Sequence, residues 1–342
     1  MIKWLDVSEQ TRKNAYEQIS EKTGMSAFAV EKDWWVVQAL RCIFELEESN
    51  YLVFKGGTSL SKAWGLIERF SEDVDLAIDK AFLGFDGVLS KNQRTELRKK
   101  ASNYTSGEFK QKLEQKFSEK GFKEITFKIV EATDSDQDPR IIEIYYPNLI
   151  QKPTYLEARV QIEIGCRSLK EPFTIRPIAS LIDIHYPEMG FVQASIDVPT
   201  VNPERTFLEK IFLLHEEFQR PKEKMRFDRL SRHLYDVVVL SKTPFAEKAL
   251  LDQELYETIV KHRYTFTRIG GVNYNLHLPK TINPIPVPEV IDHWKKDYNT
   301  MIEQMIYEES PLSFDEIIES LKQLKEKINK LDWNFKLNPS SL

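Results

Sequence analysis

Cysteine is nearly absent. Cys42 and Cys166 are the only two in 342 residues, which excludes a disulfide-stapled scaffold and a thiolate metal cluster and suits a reducing compartment. Long apolar runs are missing too: no stretch approaches the roughly 20 apolar residues of a bilayer span. The opening MIKWLDVSEQTRKNAYEQIS lacks the apolar core of a secretory signal, so a cytoplasmic chain without membrane contact is expected. An excess of positive charge is also wanting. The net charge of -5 excludes a generally basic nucleic-acid coat and confines any RNA or DNA contact to a local patch. Low-complexity tracts and internal repeats do not occur. What is present, 41% apolar and 30% charged residues, is the composition of a globular protein large enough for a core domain with helical additions, or for two domains.

Three regions are expected: N-terminal helices over 1–50, a mixed α+β core over 51–200, and a mainly helical part over 201–342. Residues 8–24 and 26–48 read as helices, the first ending on Gly24 and the second capped by Ser26, with Glu31, Lys32 and Asp33 interrupting its apolar face. YLVFK (51–55) reads as a strand stopped by Gly56 and Gly57. The spacing of Leu60, Ala63, Trp64 and Ile67 then predicts a helix that leads into the strand VDLAID. Residues 90–120 are polar and helical in pattern. Strands are expected at 124–132, 140–149 and 156–168, and a loop-rich boundary where Pro172, Pro177, Pro187, Pro199 and Pro203 crowd together. Beyond it, 204–220 and 229–251 read as helices, 264–290 as irregular, and the last helix starts at a Ser313 cap.

The chemistry is concentrated in VFKGGTSLSKAWGLIERFSEDVDLAID (53–79). In a strand, residues two apart share a face, so Asp73 and Asp75 project side by side. Two adjacent carboxylates repel each other, and a divalent cation with a preference for hard oxygen, Mg2+ or Mn2+, offsets that cost. Gly56 and Gly57 let backbone approach a phosphate closely, and the helix start at Thr58 and Ser59 aims N–H groups at the same place. Ser59 is a candidate phosphate donor. Ser71, two residues before Asp73, is placed to meet a metal-bound phosphate or to be modified, and Arg69 and Arg167 are candidates to face a nucleotide.

A Gly-Gly turn, a helix and Asp-x-Asp together resemble the signature of the nucleotidyltransferase superfamily. Such enzymes use a third carboxylate on a neighbouring strand. Glu163, mid-strand between Ile162 and Ile164, is the first choice, because an unpartnered charge there is expensive. Glu143 in IIEIYY is the second, and an ion pair with Arg159 or Arg167 is an equally open reading of either residue.

Four blocks narrow the resemblance. FKGGTSLSKAWGLIERFSEDVDLAI, EIGCRSLKEP, RTFLEKIFLLHEE and RLSRHLYDVVVL, in that order over residues 54–240, resemble the AbiEii/AbiGii (MenT-like) nucleotidyltransferase toxin family. The resemblance implies a metal-dependent enzyme of a toxin–antitoxin or phage-defence system. It implies that Lys210 in TFLEK holds the triphosphate and that Asp236 in RHLYD completes the active site. It also implies a cognate antitoxin and transfer of a nucleotide from an NTP to RNA, with the 3′ end of tRNA as acceptor. A surface salt bridge is the ordinary alternative for Lys210, and His215 and His233 read as hydrogen-bonded structural residues.

The sequence's own support for RNA is the run 219–232, where Arg220, Lys222, Lys224, Arg226, Arg229 and Arg232 outnumber Glu223 and Asp228, with Phe227 as one stacking group. A solvated helix face is the alternative for that run. Two other functions stay open: transfer to a protein hydroxyl or small molecule, and a non-catalytic binding module on the same fold.

Overall fold

The computed structural model describes residues 4–134, 137–151, 157–167, 169 and 172–337, so Leu156 and Ser168, the ends of one expected strand, lie outside the described residues. The fold is α+β. The chain divides into two compact units, one formed by 1–65 with 69–201 and the other by 66–68 with 202–342.

In the first unit, α1 (Glu9–Thr23) and α2 (Ala27–Phe44) precede β1 (Leu52–Lys55), α3 (Gly56–Lys62) and β2 (Asp73–Ile78). There follow α4 (Lys91–Tyr104), α5 (Lys110–Glu119), β3 (Thr126–Ile129), β4 (Arg140–Tyr145), β5 (Arg159–Gly165), β6 (Phe173–Ile178), α6 (Leu181–His185) and β7 (Ile196–Val201). The seven strands make one mixed sheet in the order β3-β4-β5-β2-β1-β7-β6, with β2 parallel to β5 and β1 parallel to β7. Alternation sorts its faces: Val74, Leu76, Ile142, Ile144, Val160, Ile162 and Ile164 are all but inaccessible, while Asp73, Asp75, Glu143, Arg159, Gln161 and Glu163 are half-buried on the other side.

α2 packs on β2 and β5 and is buried along nearly its whole length. Glu31, Lys32 and Asp33, which interrupt its apolar face, are themselves buried. Glu31 accepts the N–H groups of Leu149 (2.8 Å) and Ile150 (3.0 Å). Lys32 is ion-paired with Glu72 and donates to the Glu157 carbonyl (2.9 Å). Asp33 holds Lys62 (2.7 Å) and the Leu181 N–H (2.8 Å). Buried charge is tolerated because each group is matched, and the three together tie α2 to α3, to α6, to the residue before β2 and to the connection between β4 and β5.

Two expectations fail. α3 stops at Lys62, short of the Ile67 that the apolar spacing reached, and Gly65 turns the chain with φ 62°. The proline-rich passage hides β6 and β7. Pro177 lies on an edge strand, where the loss of one N–H is easily absorbed, but Pro199 lies on β7, which is paired on both sides.

The second unit is helical: α7 (Pro203–Glu217), α8 (Arg232–Ser241), α9 (Pro244–Ala249), α10 (Gln253–Phe266), α11 (Ile291–Gln304) and α12 (Phe314–Asn329). Phe207, Ile211 and Leu214 of α7, with Leu234, Val237 and Val238 of α8, are fully buried where those helices pack together. The single helix expected over 229–251 is broken at Pro244, which opens α9 instead. Ser313 caps α12 in a capping box with Glu316. Among the described residues, no helix is long and apolar enough to cross a membrane.

Candidate active site

β1 ends at Lys55, and the next residue, Gly56, takes φ 80°. A Cβ on Gly56 would stand 1.9 Å from Asp75 Oδ2, and one on Gly57 would stand 2.6 Å from Arg69 Nη2 and 2.8 Å from Ser71 Oγ. Each glycine thus lies against a different side chain, Gly56 against Asp75 and Gly57 against Arg69 and Ser71. Thr58 Oγ1 lies 2.5 Å from the Asp73 carbonyl and 3.0 Å from Ser71 Oγ, locking α3 to the start of β2. Ser59 is fully buried and donates to the Gly56 carbonyl at 2.9 Å, so its hydroxyl is turned inward. Arg69 is buried as well and donates to the Phe70 carbonyl at 3.2 Å.

The carboxylates come together through strand register. Asp75 is level with Glu163 on β5 and with Lys55 on β1, and Asp73 is level with Gln161. Level residues on neighbouring strands project to the same side, so Asp73, Asp75 and Glu163 share one sheet face. Burial and the charges of Asp75 and Asp73 push Glu163 up to about 7, opposed by a hydrogen bond from Gln161 and by the charge of Lys55. Glu143 has a different setting. Arg159 lies 2.8 Å from it and the Tyr145 hydroxyl donates to it at 2.7 Å, so the structural ion pair falls to Glu143 rather than to Glu163.

Among the described residues, no three His, Cys, Asp or Glu side chains already converge tightly enough to enclose an ion. The donor set nonetheless fits a hard divalent cation. It offers carboxylate oxygens only, its like charges raise the proton affinity of Glu163, and the Cβ-free surface of Gly56 lies against Asp75.

Arg167 is engaged elsewhere: its Nε lies 2.8 Å from Asp138 Oδ2, and Asp138 also accepts the Cys166 N–H at 2.8 Å. In the second unit, Lys210 is buried rather than on a helix surface. Its Nζ lies 2.8 Å from Asp236 Oδ2 and 3.3 Å from His233 Nδ1, so α7 and α8 bring Lys210 and Asp236 together. His215 accepts the Asn283 N–H at 3.0 Å, and burial and the neighbouring His277 push it down to about 4. The run 219–232 is not a helix face. Up to Ser231 it is irregular apart from a short 3-10 turn at Lys222–Lys224, and buried Glu217 engages Arg220 (3.1 Å) and Arg226 (2.7 Å). Lys222 and Lys224 are exposed, and Phe227 stacks on His293 at 4.6 Å.

The sequence reading gave Lys32 no partner and did not single out Lys55 or Gln161. The alternation of RVQIEIG places Gln161 on the face of Glu163, and Lys55 directly precedes the glycines, so both were within reach. Nothing local in the sequence joins Lys32 to Glu72.

Residues 38–320 match the family described as nucleotidyl transferase AbiEii toxin, type IV toxin–antitoxin system. Among solved structures, the chain is similar to MenT4, a nucleotidyltransferase toxin from Mycobacterium tuberculosis, with 16% identity, a TM-score of 0.49, and 95% of this chain and 91% of that chain covered. No curated protein matches.

Proposed function

Because the chain belongs to the AbiEii family of nucleotidyltransferase toxins of type IV toxin–antitoxin systems, we propose that Asp73, Asp75 and Glu163 form its transfer centre and hold a divalent cation, Mg2+ or Mn2+. The observation that carries this reading is the register that sets Asp75 level with Glu163, beside a glycine that Asp75 itself requires. When bound, the cation supplies charge neutralisation and polarises the reacting phosphate. The chain's own residues do the rest. Gly56 and Gly57 admit the triphosphate to close range, with Ser71 and Thr58 at their rim. Lys210, its ammonium fixed by Asp236, is assigned to the triphosphate on the family's pattern.

In the transfer, an acceptor hydroxyl oxygen forms a bond to the α-phosphorus of the NTP. The bond from that phosphorus to its bridging oxygen breaks, and pyrophosphate leaves with the electron pair. The hydroxyl proton passes to solvent or to a carboxylate oxygen not engaged by the cation.

The acceptor we propose is RNA, at the 3′ end of tRNA, with a cognate antitoxin restraining the enzyme. Its support is the family resemblance together with exposed Lys222 and Lys224. One observation favours a second reading, a protein hydroxyl as acceptor: Glu217 already engages two of the arginines on which the RNA patch was based. Incubation with total RNA, Mg2+ and each labelled NTP in turn separates the two. Label on tRNA that vanishes with Asp73→Ala supports the first. Label confined to protein replaces it, and no label with any NTP defeats the transfer reading.

A further inference from the structure

The half-buried face of β5 and β4 carries a run of polar contacts, one of them an ion pair, that ends on the proposed transfer centre. The Tyr145 hydroxyl donates to Glu143 Oε2 at 2.7 Å, and Glu143 Oε1 lies 2.8 Å from Arg159 Nε. Arg159 Nη2 donates to Gln161 Oε1 at 3.3 Å, and Gln161 Nε2 donates to Glu163 Oε1 at 2.9 Å. Register explains the path. Tyr145 is level with Arg159 and Glu143 with Gln161, so the four side chains pack as a two-strand ladder that steps to Glu163. Beyond Tyr145, the Lys128 ammonium sits over the phenol ring at 4.5 Å and closes the outer end.

The run has only one internally consistent direction. A guanidinium donates and never accepts, so Arg159 must face the oxygen of the Gln161 amide, and the amide nitrogen is left for Glu163. An unrestrained glutamine beside a carboxylate could rotate its amide or swing away. Here both ends of the amide are engaged, and Glu163 Oε1 is committed to Gln161.

We propose that Gln161 is a positioning residue, held by Arg159 and Glu143, which fixes the Glu163 carboxylate so that its second oxygen, Oε2, is presented to the cation. This rests on the reading of Glu163 as a metal ligand. Partners that orient a ligand from behind contribute to metal affinity without touching the metal. Gln161 does so from the same face as Asp73, with which it is level, so one amide sits beside two of the three carboxylates.

The test is Mn2+ binding to the full chain without nucleotide, followed by electron paramagnetic resonance, beside transfer kinetics. Gln161→Met keeps the shape of the side chain and removes both hydrogen bonds. It is expected to weaken Mn2+ binding by about 10–100-fold, to lower kcat at subsaturating Mn2+, and to leave the KM for NTP at saturating Mn2+ unchanged. Arg159→Lys keeps a charge for Glu143 but loses the fork that reaches Gln161. It is expected to weaken Mn2+ binding in the same direction and carries the test if Gln161→Met does not fold. In a Glu163→Ala background, Gln161→Met is expected to add nothing.

Unchanged Mn2+ affinity in Gln161→Met, with a loss in Glu163→Ala, overturns the positioning role alone. A full further loss on adding Gln161→Met to Glu163→Ala also overturns it, since Gln161 would then act by another route. Unchanged affinity in Glu163→Ala overturns the ligand reading itself.

Discussion

Glu163→Gln turns the electrostatics of the site into a stability measurement. The folded chain holds the Glu163 proton more tightly than the unfolded chain does, at about 7 against an ordinary 4.5, because of burial and the charges of Asp75 and Asp73. Folding therefore takes up protons between these values. The favourable contribution of the protonated acid is fully present below pH 4.5 and is lost as pH rises through 7. At about 1.4 kcal/mol per pH unit, the whole loss is about 3 kcal/mol. Glutamine imitates the neutral acid and does not titrate. At pH 4, urea unfolding followed by tryptophan fluorescence should find wild type and Glu163→Gln nearly equal in stability. By pH 8 the variant should be the more stable by up to about 3 kcal/mol. Saturating Mg2+ should then close or reverse the gap, because a cation stabilises the ionised site of the wild type and finds one ligand fewer in the variant. A stability difference that does not move with pH would falsify the electrostatic account, and a gap indifferent to Mg2+ would remove Glu163 from the metal site.

Gly56→Ala should abolish transfer with secondary structure intact by circular dichroism, since a Cβ there meets Asp75 Oδ2 at 1.9 Å; an active variant would show that Asp75 can be displaced without consequence. Lys32→Met should destabilise the chain by about 3–5 kcal/mol, by removing the ammonium that faces buried Glu72, and adding Glu72→Gln should recover most of the loss in the same unfolding assay. Lys210→Ala should weaken NTP binding in equilibrium titration and leave Mn2+ binding unchanged; equal NTP affinity in both proteins would make the Lys210–Asp236 pair purely structural. If the 219–232 run tracks RNA, Lys222→Glu with Lys224→Glu should flatten the dependence of log affinity on log salt by about one per lost phosphate contact. An unchanged slope would favour the protein acceptor.

What could be read from the sequence was whatever depends on local periodicity. The alternation in DVDLAI and RVQIEIG was enough to place Asp73, Asp75 and Glu163 on strands, and Ser26, Gly24 and Ser313 marked helix ends that the structure shares. Two kinds of information were not local. Pairing across the chain decided which carboxylates found cations: Glu143 met Arg159, Glu72 met Lys32 and Glu217 met Arg226, with separations of up to 40 residues. Tertiary context also overrode residue preference. Pro199 sits within a paired strand that its type disfavours, and α3 stops at Lys62 although the apolar spacing ran on to Ile67. The run 219–232 shows both effects, since a count of charges cannot tell a guanidinium facing water from one clasped by a buried glutamate.

The parallel pairing of β2 with β5 has a consequence for what this chain can change and what it cannot. Each of the three carboxylates is borne by a strand and none by a loop, so their grid is the sheet's own, about 4.8 Å across and about 6.6 Å between alternate residues along a strand. A grid of that kind works as a ruler. Loops at its margins are free to lengthen, shorten or exchange side chains, and so to retune which acceptor is admitted, while the ruler keeps its marks. Within β2 there is no such freedom: one residue inserted between Asp73 and Asp75 would turn one of them into the apolar core beside Val74 and leave the other facing Glu163 alone.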